Sequence, residues 1–401
     1  MLWLRNPGLR IFPSVGFNTL LHEISNSEMK KSILLFTLIF ILLSFTNKSG
    51  SPGGEIKSET RNVDLLSLAG DPKKPRIVFV TGDEEYRSEE GMPQIAKILN
   101  QHHGFNCKVL FAQNPDRSGI VDPNYLNNIP GLECLRDADL MVIFTRFRAL
   151  PDEQMKLIDD YLKSGRPVLG IRTATHAFHF TEEDSLSSFN HYGTFNNEEG
   201  PWNGGFGRLI LGEKWISHHG NHGNQSTRGL KARGAEDHPI WKGIEEGSIW
   251  GPTDVYGVRL PLPGDSQPIV LGQSIDRSGE FDENDPRLGM RPTDANLPGK
   301  IERDGTLIDQ NDPMMPIAWI KSYQIPGGQQ GKSFTSTIGS STDLLESGTR
   351  RLIVNAAFWL LDFDVPEKAN VDIVGNYSPT SFGFKDDEYW DERNIVIANM
   401  N

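Results

Sequence analysis

Ile77-Val78-Phe79-Val80-Thr81 runs into Gly82-Asp83-Glu84-Glu85-Tyr86-Arg87, and this passage from an unbroken apolar run to a knot of charge decides the fold. Two later stretches repeat it. Leu140-Met141-Val142-Ile143-Phe144 leads to Thr145-Arg146-Phe147-Arg148, and Val168-Leu169-Gly170-Ile171 leads to Arg172-Thr173-Ala174-Thr175-His176. Apolar runs without polar alternation suit parallel strands covered on both faces. Ligands of such sheets bind beyond the carboxyl ends of the strands. The charged and hydroxyl-bearing residues at those ends are therefore read as a site.

The segments between these runs fit βαβ crossovers. Residues 89–103 carry Ile95, Ile98 and Leu99 as an apolar stripe, and 107–112 reads as the second strand. Pro151-Asp152-Glu153-Gln154 opens a helix, with acids at its positive end and Met155, Ile158, Tyr161 and Leu162 on its apolar face. Gly165 ends it. Right-handed crossovers put these helices on the sheet. Past residue 176 the character changes. Residues 190–225 read as surface-shaping loops, with a strand at 209–216. Residues 249–258 and 268–273 are strand-rich, and 276–313 is a polar excursion. Residues 315–322 and 332–338 form a hairpin, and 349–361 a closing helix. The main domain spans 76–365, and an acidic, aromatic extension at 366–401 is placed to clasp it or a neighbour.

Of 401 residues, 37% are hydrophobic and 23% charged, which supports a real core. The net charge of −13 comes with no local basic patch, so nucleic acid is excluded as the main partner. Lys30-Lys31 precede an apolar run from Ile33 to Phe45, with polar residues after it. That is a signal-peptide pattern over 29–50, with Met29 as the true start and 1–28 a mis-assigned beginning. The expected location is periplasmic or secreted. An uncleaved leader would act as a membrane tether, and no cysteine follows the run to take a lipid. Residues 51–75 read as a linker. Cys107 opens the second strand and Cys134 sits just before the third, strands expected to flank the first about 9–10 Å apart, so both are expected as free buried thiols.

The turn after the run 168–171 is where many α/β enzymes present a nucleophile. Arg172 is permanently protonated and cannot serve as one. It reads equally as a ligand-binding group and as an anchor for Glu84 or Glu85. Thr173 would need a base, His176 being nearest, and reads first as a helix cap. Glu85 and Arg87 sit between strand end and helix start, whereas Glu89 and Glu90 fit solvated acids at a helix N-terminus. Of Arg146 and Arg148, one is expected on a polar substrate and the other in a surface ion pair. Seven of the ten histidines lie between 176 and 238, densest in His218-His219-Gly220-Asn221-His222. Imidazoles with carboxylates suit zinc or a related divalent metal, and His219 and His222 in a glycine loop suit sugar hydroxyls equally. No cofactor is expected, with a divalent metal the weaker alternative. Asp254 and Tyr256 share one strand face, set to meet the turn at His238-Pro239. Trp202, Phe206 and Trp215 offer a platform for a pyranose. No glycine-rich dinucleotide fingerprint follows the first strand, so no nicotinamide cofactor is expected.

These pieces, in this order, resemble the ThuA-like (trehalose-utilisation) family of the class I glutamine-amidotransferase-like superfamily. The resemblance covers residues 76–363. It rests on Gly82-Asp83-Glu84-Glu85, Gly170-Ile171-Arg172-Thr173-Ala174-Thr175, Trp215-Ile216-Ser217-His218, His238-Pro239-Ile240, Thr253-Asp254-Val255-Tyr256, Thr337-Ile338-Gly339-Ser340 and Asn355-Ala356-Ala357-Phe358-Trp359. It implies an α/β, flavodoxin-like three-layer sandwich with a mostly parallel central sheet and loop-rich insertions. The family often has His where Arg172 stands, and amidotransferases have their catalytic Cys there. Neither Cys107 nor Cys134 falls at that elbow, so cysteine-dependent glutamine hydrolysis is excluded at this position. The family also often carries Gly-His where Gly339-Ser340 stands. Acid–base work then passes to His176, His218, His219 or His222, with Arg172 stabilising developing negative charge. Glu84, Glu85, Arg87, Arg146, Thr173, Trp202, His222, Asp254 and Tyr256 would contact substrate. The expectation is an exported protein that binds or acts on a carbohydrate or sugar-derived small molecule, by hydrolase- or lyase-type chemistry. A non-catalytic sugar-binding or assembly module and a metal-dependent hydrolase using His218, His219 and His222 are the alternatives. A homo-oligomer is compatible with each.

Overall fold

The computed structural model describes residues 64–400 apart from 182, 185–186 and 304–305. The leader at 1–50 and the first part of the 51–75 linker lie outside the described residues. Ile77 and Phe79 are buried in one apolar cluster and Val78 and Val80 in another, as a strand buried on both faces requires. The strands in chain order are β1 (Leu65–Leu68), β2 (Arg76–Gly82), β3 (Asn106–Leu110), β4 (Leu140–Thr145), β5 (Val168–Ile171), β6 (Ser217–His218), β7 (Gln225–Lys231), β8 (Trp250–Gly251), β9 (Tyr256–Gly257), β10 (Gln267–Asp276), β11 (Lys300–Arg303), β12 (Thr306–Asp309), β13 (Met315–Tyr323) and β14 (Gly331–Ser336). The helices are α1 (Ser88–His103), α2 (Asp152–Lys163), α3 (Gly205–Leu209), α4 (Ser347–Leu360) and α5 (Asp387–Arg393).

Ten strands form one sheet in the order β1-β3-β2-β4-β5-β14-β13-β10-β7-β8. The pairs β3-β2, β2-β4, β4-β5 and β5-β14 are parallel. Every pair beyond β14, and the β1-β3 pair, is antiparallel. The architecture is α/β, but the sheet is mixed rather than mostly parallel. No helix connects β13 to β14, and a short connection can only return a strand antiparallel. Apolar side chains of α1 and α4 join one cluster and those of α2 the other, so helices cover both faces. Among the described helices none is long and apolar enough to cross a membrane.

Three local readings change. Leu65–Leu68, inside the stretch read as linker, pairs with β3 as an edge strand. Residues 209–216 are not a strand. α3 ends there, and the Leu211 carbonyl accepts from Trp319 Nε1 at 2.6 Å and Thr335 Oγ1 at 2.9 Å, so the segment is tied across the sheet face instead of within it. Of 249–258, only the two short pairs β8 and β9 are strand. Both cysteines are free, Cys107 buried and Cys134 half-buried.

Candidate functional site

The turns after β2, β4 and β5 each carry one non-glycine residue in the left-handed region: Arg87 (φ 60°), Phe147 (φ 48°) and Arg172 (φ 47°). Left-handed backbone is costly for bulky residues and gathers where surrounding structure holds it for a purpose. Much of the charge at these strand ends staples the turns together. Asp83 accepts from the backbone amide of Glu85 at 2.8 Å and from the Thr173 hydroxyl, joining the turns of β2 and β5. Glu84 bridges Arg146 and Arg148, joining those of β2 and β4. Arg148 is fully buried, so its ion pair lies inside the protein and not on the surface. Thr173 makes no helix cap. Its hydroxyl is committed to Asp83.

Arg172 is the deepest of these staples. Its guanidinium lies between the rings of Tyr86 and Tyr256, with centroids 4.4 and 3.8 Å away. Nη1 donates to the carbonyls of Asp254 (2.8 Å) and Thr337 (2.6 Å), and Nη2 to Asp254 Oδ1 at 3.2 Å. At 1% exposure it has no route to a ligand, and the charge-stabilising role expected for it falls away. The loop acid it anchors is Asp254 rather than Glu84 or Glu85.

Around Asp254 the structure gathers the site. His218 Nδ1 lies 2.7 Å from Asp254 Oδ2, and His222 Nδ1 lies 3.0 Å from Oδ1. These contacts engage Nδ1 of each ring and leave Nε2 for other partners. Burial alone would raise the Asp254 carboxyl. The hydrogen bonds from His218 and His222 and the charge of Arg172 outweigh it and hold the group well below the usual carboxylate range. On the far side, His222 Nε2 faces Glu85 Oε1 at 3.7 Å, and Arg146 Nε lies 3.4 Å from Glu85 Oε2. Burial, helped by the negative charge of Asp83, pushes the Glu85 carboxyl up against the opposing pull of Arg146, His222 and Arg172. Arg146 (19% exposed), His218 (34%) and His222 (36%) are the partly open side chains of this cluster, joined through Glu85 and a 4.7 Å contact between the two imidazole rings, and this open side is called the mouth.

Strand geometry decides which histidines take part. β6 pairs with β9, setting His218 opposite Tyr256. Successive residues of a strand point to opposite faces, so His219 turns away and its Nε2 meets the Gln310 carbonyl at 2.7 Å. His222 returns on the following turn. His176 is buried between the rings of Phe147 and Trp215, at 5.0 and 5.4 Å. Burial and the nearby charges of Arg146, Arg172 and His218 hold it well below its ordinary value, so it is a neutral packing group. Trp202 packs on Tyr192 at 4.2 Å in the opposite apolar cluster, and Phe206 is fully buried there. Both belong to the cluster opposite the one that holds Tyr256. Asp254 and Tyr256 meet His218 and Arg172 instead of the His238 turn, where His238 Nδ1 accepts from the Ile240 amide. Arg87 is spent on the C-terminal extension, donating from Nη2 to the Gly383 carbonyl at 2.8 Å.

Four further site residues have weaker sequence signals. Tyr86 stacks on Phe382 (5.7 Å) and meets His222 edge-on (6.2 Å), and Phe384 lies over Arg146 at 4.8 Å. The fourth, Asp83, looks like any acid beside a helix start. The two tail phenylalanines sit 160 to 296 positions from the residues they meet, and only their aromatic, acidic context marked the segment.

The fold and site together define an α/β protein with two aspartate-held histidines and a buried glutamate beyond the carboxyl ends of parallel strands. No family model and no curated protein matches the chain. Among solved structures it is similar to a ThuA-like protein from Bacteroides uniformis, at 14% identity and a TM-score of 0.39, over 78% of this chain and 95% of that one. A ThuA-like protein from Parabacteroides merdae matches at 15% identity and a TM-score of 0.40, over 78% and 98%. A cytoplasmic protein from Salmonella typhimurium matches at 11% and 0.28, over 73% and 100%. The first two carry the family description that the sequence motifs resemble.

Proposed function

We propose that the mouth binds a carbohydrate or sugar-derived small molecule and moves a proton on it, with His218 or His222 as base and Glu85 as acid. The observation that carries this reading is the pairing of both imidazoles with one buried carboxylate. It engages Nδ1 of both rings, while His222 Nε2 stands 3.7 Å from Glu85, whose carboxyl is raised by burial. A carboxyl raised by burial and set beside two imidazoles suits an acid and a base sharing one site. Arg146, the accessible guanidinium, takes the ligand-facing part expected of Arg172. Calorimetric titration with a panel of mono- and disaccharides tests the reading. Heat with at least one sugar, lost in His222→Gln, is expected. A wild-type chain that binds none of them overturns it, and product analysis separates an enzyme from a binding module.

A second reading is favoured by one observation: ligand atoms of His218, His222 and Asp254 lie within 4.8 Å of one another. Two imidazoles and a carboxylate fit zinc or a similar divalent ion, with Asp254 taking the place sequence reading gave to His219. Such an ion supplies an acidified water when bound. Zinc titration of tag-free protein decides it: stoichiometric binding lost in His218→Ala supports the centre, and no binding removes it.

The five parallel strands, in the order β3-β2-β4-β5-β14, support a flavodoxin-like unit, in which ligands sit at the switch between β2 and β4. Export is proposed from the leader pattern alone, and N-terminal sequencing of the protein from cell fractions tests it.

A further inference from the structure

The C-terminal extension crosses the mouth as an arch bolted on both sides. Before the arch, Thr380 donates to Glu90 through its amide and hydroxyl, each at 2.8 Å. After it, the Lys385 carbonyl accepts from Asn124 Nδ2 at 3.1 Å. At the crown, the Gly383 amide donates to the Glu85 carbonyl at 2.8 Å, and its own carbonyl accepts from Arg87. Gly383 holds φ at 127°, which side-chain-bearing residues rarely adopt. The two phenylalanines beside it each touch one nitrogen-bearing side chain of the mouth. The ring of Phe382 meets His222 at 5.1 Å, and that of Phe384 lies 4.8 Å from the Arg146 guanidinium, whose other neighbour is Phe147 at 4.6 Å.

We infer that the Phe382-Gly383-Phe384 arch is a positioning element of the site, Phe382 fixing the His222 ring and Phe384 fixing the Arg146 guanidinium. A single hydrogen bond from Nδ1 to Asp254 fixes one atom of the imidazole and leaves its plane free to turn. The edge contacts of Tyr86 and Phe382 set that plane and hence the direction of Nε2. Arg146 is pulled by Glu84 and Glu85, and a planar guanidinium between two rings can rotate only in its own plane. Phe384 is 58% exposed, so its burial contributes little to the core. Its packed side is the one on Arg146. The extension therefore completes the mouth as well as covering it, and the inference rests on the proposed function only where a bound sugar is measured.

The test uses the full chain with Phe382→Leu, Phe382→Tyr and Phe384→Ala, none of which empties the core. In the ligand-free protein, Phe382→Leu is expected to displace the His222 Cε1–H resonance while that of His102 stays in place, and Phe382→Tyr to restore it. Phe384→Ala is expected to displace the Arg146 Nε–H resonance. On the mono- and disaccharide panel, each loss of an aromatic contact is expected to weaken binding by roughly 2- to 10-fold. Unmoved His222 and Arg146 resonances in these variants overturn the inference. Should no sugar bind the wild-type chain, the resonances alone decide it, and the failure belongs to the proposed function.

Discussion

Arg172 and Asp254, 82 positions apart in sequence, form an ion pair 3.2 Å long with both side chains buried. The same carboxylate holds His218 and His222, so one acid serves the core and the mouth at once. Breaking a buried pair by removing one partner leaves an uncompensated charge and costs about 3–5 kcal/mol. Asp254→Asn is expected to lower unfolding free energy by about that much in chemical denaturation. His218→Ala, which spares Arg172, is expected to cost far less. Equal losses in the two variants would separate the carboxylate from the guanidinium and undo this assignment.

The raised carboxyl of Glu85 gives a pH signature. An acid must be protonated to act, so turnover falls as pH rises through its pKa, which burial places above the ordinary glutamate range. On any substrate the panel yields, Glu85→Gln is expected to lose roughly 100- to 10,000-fold in rate and to lose this alkaline limb. A variant that keeps both the rate and the limb assigns the proton to another group.

Gly170 sits one residue before Ile171 and the elbow, and its packing explains why the motif begins with glycine. A Cβ there would stand 2.6 Å from Leu211 Cδ1 and 3.2 Å from its Cγ. Leu211 is fully buried and its carbonyl is held by Trp319 and Thr335, so it cannot retreat. Gly170→Ala is expected to cost about 1–3 kcal/mol by overpacking, and Gly170→Ala with Leu211→Ala to recover part of it. Thermal melts of the single and double variants read this directly.

β2, β4 and β5 were legible because each is a short unbroken apolar run buried on both faces, whereas β14, Gly-Lys-Ser-Phe-Thr-Ser, was read only as half of a hairpin and its parallel pairing with β5 was not foreseen. β6 and β9 were not legible. They are two residues each, and nothing in Ser217-His218 or Tyr256-Gly257 distinguishes a paired stretch from a loop. That one missed pair hid the fact that His218 and His219 face opposite ways. Glu85, Arg146, His218, His222 and Asp254 were readable as chemistry-bearing residues, and the structure brings them together. Arg172, His176, Thr173 and Arg87 were equally readable and are structural, because sequence shows charge and hydroxyl but not which partner satisfies it. The tail holding Phe382 and Phe384 was readable as a clasp, but no local pattern announces that it meets His222 and Arg146.

Glu89 offers a test away from the mouth. Both of its carboxylate oxygens are buried without a hydrogen-bond partner, at the first turn of α1, where sequence suggested a solvated acid. Burial, with the negative charge of Glu90 added and the positive charge of Arg87 opposing, pushes its pKa up to about 8 from an ordinary 4.5. Between those values the folded protein keeps a proton that the unfolded chain has released. By linkage, stability then falls as pH rises across that window. Glu85 and Asp343, also raised by burial, act in the same direction. Glu89→Gln removes one titrating group and keeps the shape. It is expected to flatten the decline in unfolding free energy and to raise the melting temperature at the alkaline end while changing it little at the acid end. A pH–stability curve parallel to wild type would show that Glu89 is ionised in the folded protein and finds a partner there.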